Sequence, residues 1–200
     1  LLDSGKAAVV ASGQQSVEEQ YLTKKIADQL GAPVYMGRHW DEGDGLLLSE
    51  DRTPNTRGAL LTKLTTQLPQ ETLSSLAAKM DSGEIDTLLV VGEDLANLGI
   101  STEQITKANL LFLGTQGNAT SKAANVLLPG LMVFEKNGSF VNLNFRLQKF
   151  QQAVPGPAGL IPDIMLLGKL LSTLTGNDAP TNINSVWEKL SSENPAFTGI

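Results

Sequence analysis

Cysteine is absent from all 200 residues, and histidine occurs once, at position 39. Without thiolates the chain holds no cysteine-ligated iron–sulfur cluster, no cysteine-built zinc site and no disulfide. A single imidazole excludes a multi-histidine metal centre and confines any serine–histidine relay to the loop around His39. Basic charge is also scarce. Fifteen Lys and Arg face 21 Asp and Glu, a net charge of −6, which argues against a duplex nucleic-acid partner, because such a partner calls for a basic face. No apolar run approaches the roughly 18 residues of a membrane span. The N-terminus lacks the basic, long-apolar, small-residue pattern of a signal peptide. Leu1 stands where an initiator methionine would, which reads as a segment of a longer chain.

The residues that are present describe a globular protein. An apolar fraction of 41% and a charged fraction of 18% suit one domain, or one with a small appendage, around a substantial core. Strand and helix signals alternate from the start. "AAVVAS" (7–12) is a short apolar run before Gly13. Ser16 and Glu19 have the spacing of a capping box, and Val17, Tyr21, Leu22, Ile26 and Leu30 share one helical face that Gly31 can close. "PVYM" (33–36) is a second strand. The polar, glycine-rich stretch 37–58 reads as an excursion from the sheet, with a turn at Pro54-Asn55.

A helix from about Glu71 to Asp81 carries Leu73, Leu76, Ala77 and Met80 at helical spacing. "DTLLVVG" (86–92), "NLLFLG" (109–114) and "NVLLP" (125–129) follow as strands, separated by "STEQITKA" and "NATSKAA" as short helices. Val126-Leu127-Leu128 in particular reads as buried. An apolar helix over 160–175 sets Ile164, Leu167, Leu170, Leu171 and Leu174 on one face, and "SVWEKL" (185–190) is a last short helix. The pattern predicts an α/β fold: a mostly parallel sheet with helices on both faces, Rossmann-like, plus a small β-hairpin excursion and C-terminal helices. Residues 1–176 form the α/β domain and 177–200 a C-terminal extension.

Ligands of such sheets sit beyond the carboxyl ends of the strands. Two segments lie there: "GEDLANLG" (92–99) and "GTQGNATS" (114–121). Neither is a G-x-G-x-x-G fingerprint and neither has a phosphate-directed lysine, so ordinary strand-to-helix turns are favoured. The carboxylates of "HWDEGDG" (39–45) miss the spacing of a calcium loop, which leaves a solvated acidic loop. Arg52 and Arg57 read as solvated arginines beside a proline turn rather than an anion site. Glu135 and Arg146 have no base or nucleophile beside them, which favours an ion pair or amide network pinning a loop over catalysis.

"GEIDTLLVVGED", "TSKAANVLLPGLMVFEKNGSFVNLNFRLQ" and "AVPGPAGLIPDIMLLGKL", in that order and spacing, resemble the later part of the molybdopterin oxidoreductase family. The nearest likeness within it is the large iron–sulfur subunit of bacterial NADH:quinone oxidoreductase (respiratory complex I). "DGLLLSEDRTPNTRGA" and "ENPAFTGI" resemble that subunit too. The family's frequent Asn-x-Glu-Gly-Arg-x-Gln is kept at Asn142, Arg146 and Gln148, with Asn144-Phe145 in place of Glu-Gly. Asn125, Ile164 and Leu95 also depart from the family's pattern, which weakens the case for a pterin-dinucleotide site.

The resemblance implies a non-catalytic scaffold domain that supports the peripheral arm of a respiratory complex. Its partners would be other subunits or domains of that complex, on the cytoplasmic side and peripheral to the inner membrane. It implies no cofactor in this chain and iron–sulfur clusters elsewhere in the parent protein. Glu135, Asn142, Arg146 and Gln148 would then hold structure. The alternative is the pterin-dinucleotide-binding part of a molybdenum enzyme such as a formate dehydrogenase, with Gly92, Asp94, Thr115 and Gln116 approaching the molybdopterin cofactor. A free-standing nucleotide-binding module is a third reading. Cut ends predict an exposed apolar patch near the N-terminal strand or the final helix. For the hairpin, local chemistry favours a turn at Asn137-Gly138. The resemblance places it instead at Leu143-Asn144-Phe145, with Asn144 left-handed, and that is the turn expected here.

Overall fold

The computed structural model describes residues 2, 5–37, 39–68 and 73–199. Five short apolar runs form five parallel strands: β1 (Ala7–Ala11), β2 (Val34–Met36), β3 (Thr87–Val91), β4 (Asn109–Gly114) and β5 (Val126–Pro129). Their order is β2-β1-β3-β4-β5, with Val9 opposite both Val34 and Leu89. Between them run α1 (Val17–Leu30), α2 (Thr56–Leu61), α3 (Ser74–Asp81), α4 (Thr102–Lys107) and α5 (Ala119–Ala123). A hairpin, β6 (Gly138–Val141) with β7 (Leu147–Phe150), precedes α6 (Asp163–Thr175) and α7 (Ile183–Glu193). The fold is therefore the Rossmann-like α/β class that the sequence predicts.

Strand pleating sorts the core into two layers. Val9, Leu89, Leu111 and Leu113 face α1, α6 and α7, and Val186, Leu190 and Phe197 belong to the same cluster. Ala8, Val10, Leu88, Val90, Leu110 and Phe112 face the other way, against Leu73, Leu76, Leu98 and Ile105. Each fully buried Leu or Phe contributes about 2 kcal/mol. The predicted faces of α1, α3 and α6 are the buried ones. The Ser16–Glu19 capping box forms, and Gly31 closes α1 with φ 60°.

Boundaries differ where backbone chemistry intervenes. Pro162 has φ −57° and ψ 142°, so α6 starts at Asp163 rather than 160. Asn182 caps α7 through Ser185 and extends it to 183–193. The expected start of α3 at Glu71 lies outside the described residues. The end of the 37–58 excursion is helical from Thr56, which its polar composition hides.

Two expectations about exposure are overturned. β5 is not buried: it is the last strand of the sheet, and Leu127 is 53% exposed. The exposed apolar side chains do not gather at β1 or α7. Among the described residues they lie at Leu46–Leu48, on β5, at Met132 and Phe134, at the hairpin tip and at Val154.

The hairpin turns at 142–146, as the resemblance predicts, with Val141 opposite Leu147. The Asn137-Gly138 signal does not make a hairpin. A Cβ on Gly138 would sit 2.9 Å from Ser16 Cβ and 2.6 Å from Phe150, so this glycine allows β6 to pass close over the start of α1. The left-handed residue is Phe145, φ 57°, and not Asn144. Asn142 explains the difference, because its Oδ1 accepts from the backbone N–H of both Asn144 and Arg146, at 3.0 Å each.

Candidate functional site

Strand order places a crevice at the point where connections diverge from β1, between the carboxyl ends of β1 and β3. A cleft of about 430 Å³ opens there, lined by Gln14 and Gln15 after β1, Gly92 and Asp94 after β3, and Thr115, Gln116 and Asn118 after β4. All four residues singled out for cofactor contact, Gly92, Asp94, Thr115 and Gln116, therefore line one cleft.

Their chemistry there is mostly internal. Gly92 turns the chain with φ 76°, and its N–H donates to Leu113 O at 2.8 Å. Asp94 Oδ1 accepts from Thr120 Oγ1 at 2.8 Å and from Ala96 N at 3.3 Å. Thr120 Oγ1 in turn accepts from Leu95 N at 2.8 Å, which ties the β3 turn to α5. Asn118 and Ser121 cap α5 reciprocally, at 2.8 Å in both directions. Thr115 and Gln116 are exposed at the rim.

The floor of the cleft is a feature the sequence pattern does not show. Lys136 Nζ lies 2.7 Å from Glu19 Oε1 and 2.6 Å from Asp163 Oδ2. Asp163 Oδ1 accepts from Leu131 N at 2.9 Å, and Glu19 Oε2 accepts from Ser16 N at 2.9 Å. One ammonium thus joins the first turns of α1 and α6. Burial pushes the Glu19 carboxyl above its ordinary range, partly offset by the charge of Lys136. Burial works against the Lys136 ammonium too, but Glu19 and Asp163 outweigh it and hold its pKa above the usual lysine value. The same three residues also line a second, open cavity of about 950 Å³ between the hairpin, residues 150–165 and α7.

Further buried polar groups lock the hairpin to the sheet domain. Glu18 accepts from Ser139 N at 3.1 Å, Ser139 Oγ at 2.9 Å and Trp187 Nε1 at 2.9 Å. Asn55 Oδ1 accepts from Val141 N at 2.7 Å, while its Nδ2 donates to Gln15 O at 2.8 Å and Gln20 Oε1 at 3.0 Å. The pinning ion pair or amide network expected of Glu135 and Arg146 does not form; Glu18 and Asn55 pin the hairpin instead. Glu135 only caps its own turn, accepting from Met132 N at 2.9 Å. The Arg146 side chain is exposed and forms no ion pair with Glu135, so it is not an anchor. Asn142 Nδ2 and Gln148 Oε1 do bond, at 3.1 Å, within the hairpin.

One other reading is corrected in part, since Arg52 is exposed as expected and Arg57 is not. Arg57 is not solvated: its Nη1 pairs with the buried Asp51 at 2.5 Å. Arg52 donates to Glu42 O at 2.7 Å. His39 is alone in sequence but not in space. Its Nε2 lies 2.8 Å from Glu93 Oε2, while buried Glu93 Oε1 has no hydrogen-bond partner among the described residues. That hydrogen bond raises the His39 pKa despite partial burial, helped by the charges of Glu93 and Asp51. Among the described residues no group of three or more His, Cys, Asp or Glu is placed to hold a metal ion.

A doubly wound sheet with a crevice at its switch point defines a Rossmann-like architecture, and sequence comparison specifies it further. Residues 53–173 match the molybdopterin oxidoreductase model, and the chain belongs to that family. It is similar to the formate-dehydrogenase-like YrhE of Bacillus subtilis (25% identity over 59% of this chain and 13% of that protein). It is similar to the F420-dependent formate dehydrogenase 2 subunit alpha of Methanococcus maripaludis (28%, 58% and 18%). It is also similar to an NADH-quinone oxidoreductase subunit of Rickettsia prowazekii (28%, 64% and 19%). The chain spans less than a fifth of the length of each of these relatives.

Proposed function

We propose that the chain is a non-catalytic structural domain of a protein like the large iron–sulfur subunit of NADH-quinone oxidoreductase, supporting a peripheral electron-transfer arm. One observation carries this reading. The cleft at the carboxyl ends of the strands is lined by the carboxylates of Glu19, Asp94 and Asp163 against the single ammonium of Lys136. That ammonium is already shared by two of them. Such a lining repels a pyrophosphate, and the residues do not fit a pterin dinucleotide in this cleft. The polar groups at this end of the sheet serve to weld α1, the hairpin, α6 and α7 together. Iron–sulfur clusters would lie elsewhere in the parent protein, which would sit on the cytoplasmic face of the inner membrane among the other subunits of its complex. No helix among the described residues is long and apolar enough to cross a membrane.

The second reading is the dinucleotide-binding part of a formate dehydrogenase-like molybdenum enzyme. It is favoured by the convergence of Gly92, Asp94, Thr115 and Gln116 on one cleft. Titration calorimetry with GDP, GTP and NADH separates the two. The scaffold reading expects no binding to about millimolar concentration, whereas micromolar affinity, on the order of −8 kcal/mol, would move the assignment to the second reading.

A further inference from the structure

We propose that residues 39–52 form a rigid docking arm whose three leucines enter an apolar groove, rimmed by lysine or arginine, on another domain of the parent polypeptide. This deepens the scaffold reading and rests on it. The arm is built before any partner arrives. Trp40 and Asp51 pair antiparallel, Asp41 N donates to Glu50 O at 3.0 Å, and Arg52 N donates to His39 O at 2.9 Å. Its base is held on both sides, by His39 against Glu93 at 2.8 Å and by Asp51 against Arg57 at 2.5 Å.

The tip is ordered by one carboxylate. Asp44 Oδ1 accepts from the backbone N–H of Leu46, Leu47 and Leu48 at 2.9, 2.8 and 2.7 Å. These bonds hold the Asp44 carboxyl below its ordinary pKa. The three side chains that Asp44 arranges are 84%, 85% and 54% exposed. Three consecutive leucines on a preorganised turn, two of them largely exposed and the third half-exposed, have the features of a binding anchor, because the ordering cost is met before association.

Charge identifies the occupant. Asp41, Glu42, Asp44 and Glu50 flank the leucines in sequence, and the basic side chains of the arm are Arg52, 3.8 Å from Asp41, and His39, turned to Glu93. An acidic rim repels an anionic lipid surface, and a net charge of −6 disfavours a second copy of this chain. It complements a groove rimmed by lysine or arginine. The relatives offer room for one, since more than four-fifths of each lies outside the match.

The test places a photoreactive residue, Leu47→p-benzoylphenylalanine, in the full-length polypeptide within the cells that make it, and maps the cross-linked peptide by mass spectrometry. The expected result is one cross-linked segment, apolar and flanked by lysine or arginine. Its yield should fall about fivefold or more with Asp44→Ala, and similarly with Leu46→Ser plus Leu48→Ser. Asp44 is exposed, so its loss leaves the fold intact. Scattered cross-links, cross-links to lipid, to a second copy or to a separate polypeptide, a target without basic residues, or a yield indifferent to Asp44→Ala would overturn the proposal. Nucleotide binding in the cleft together with a specific cross-link at Leu47 would instead sink the scaffold reading and keep the arm.

Discussion

Glu18 and Trp187, 169 residues apart, meet through a 2.9 Å hydrogen bond from the indole Nε1 to the carboxylate Oε1. Glu18 is completely buried and takes two further bonds from Ser139. It is therefore the point where α1, β6 and α7 are joined. Glu18→Ala leaves two buried donors and one half-buried donor unmatched and should lower unfolding stability by about 3 kcal/mol. Denaturant titration followed by tryptophan emission measures this. A loss below about 1 kcal/mol would show that water replaces the carboxylate.

Lys136→Met should be more damaging than removal of the whole charged cluster. The single change strands Glu19 and Asp163 as unpaired buried carboxylates, a cost of about 3–5 kcal/mol. The triple variant Glu19→Gln, Lys136→Met, Asp163→Asn should recover most of that loss. The defect of the single variant should also shrink in acid, as the stranded Glu19 carboxyl, already raised by burial, takes up a proton. Equal destabilisation of the single and triple variants would mean that packing, not charge, dominates.

His39 supplies a pH signature that is easily isolated, because it is the sole histidine. Its hydrogen bond to Glu93 raises its pKa above the ordinary 6.5. A group raised on folding contributes stability that is complete below its unfolded pKa and disappears as pH rises through the folded value. The contact should therefore be strongest below about pH 6.5 and fade through the raised pKa. Glu93→Gln should lower that pKa and flatten this part of the stability profile. Nuclear magnetic resonance titration of the ring protons reads both effects, and a wild-type midpoint at or below 6.5 would contradict the pairing.

Phe145 sits at φ 57° with an exposed ring. Left-handed backbone costs an ordinary L-residue roughly 1 kcal/mol, and glycine or asparagine less. Phe145→Gly should therefore raise the thermal midpoint, with a stability gain of about 0.5–1 kcal/mol. A drop would show that lost ring packing and the greater unfolded-chain entropy of glycine outweigh the relief of backbone strain.

Much of the secondary structure is legible because its causes are local. Ser16 and Glu19 sit three residues apart, and so the capping box at α1 is visible in the sequence. Helical spacing likewise marks the buried faces of α1, α3 and α6. The two turns that line the cleft can be found because strand-to-helix junctions are readable and parallel topology gathers them at one end. What those junctions do is not readable. Asp94 looks available in the sequence, but Thr120 and Ala96 occupy it.

Local composition alone decided that the chain alternates strands with helices, and that its lack of cysteine excludes cluster and disulfide chemistry. The resemblance, rather than composition, located the hairpin turn at 142–146. Only the tertiary structure decided which apolar strand lies at the edge. "VLLP" and "TLLVV" look equally buried, and exposure depends on strand order, not on strand composition. It also decided that Glu19 is both a helix cap and the partner of Lys136, that Lys136 reaches Asp163, and that the lone His39 faces Glu93. Charges so far apart in sequence meet only when packing removes them from water. Desolvation then makes each pairing strong enough to organise the end of the sheet where a ligand would otherwise bind.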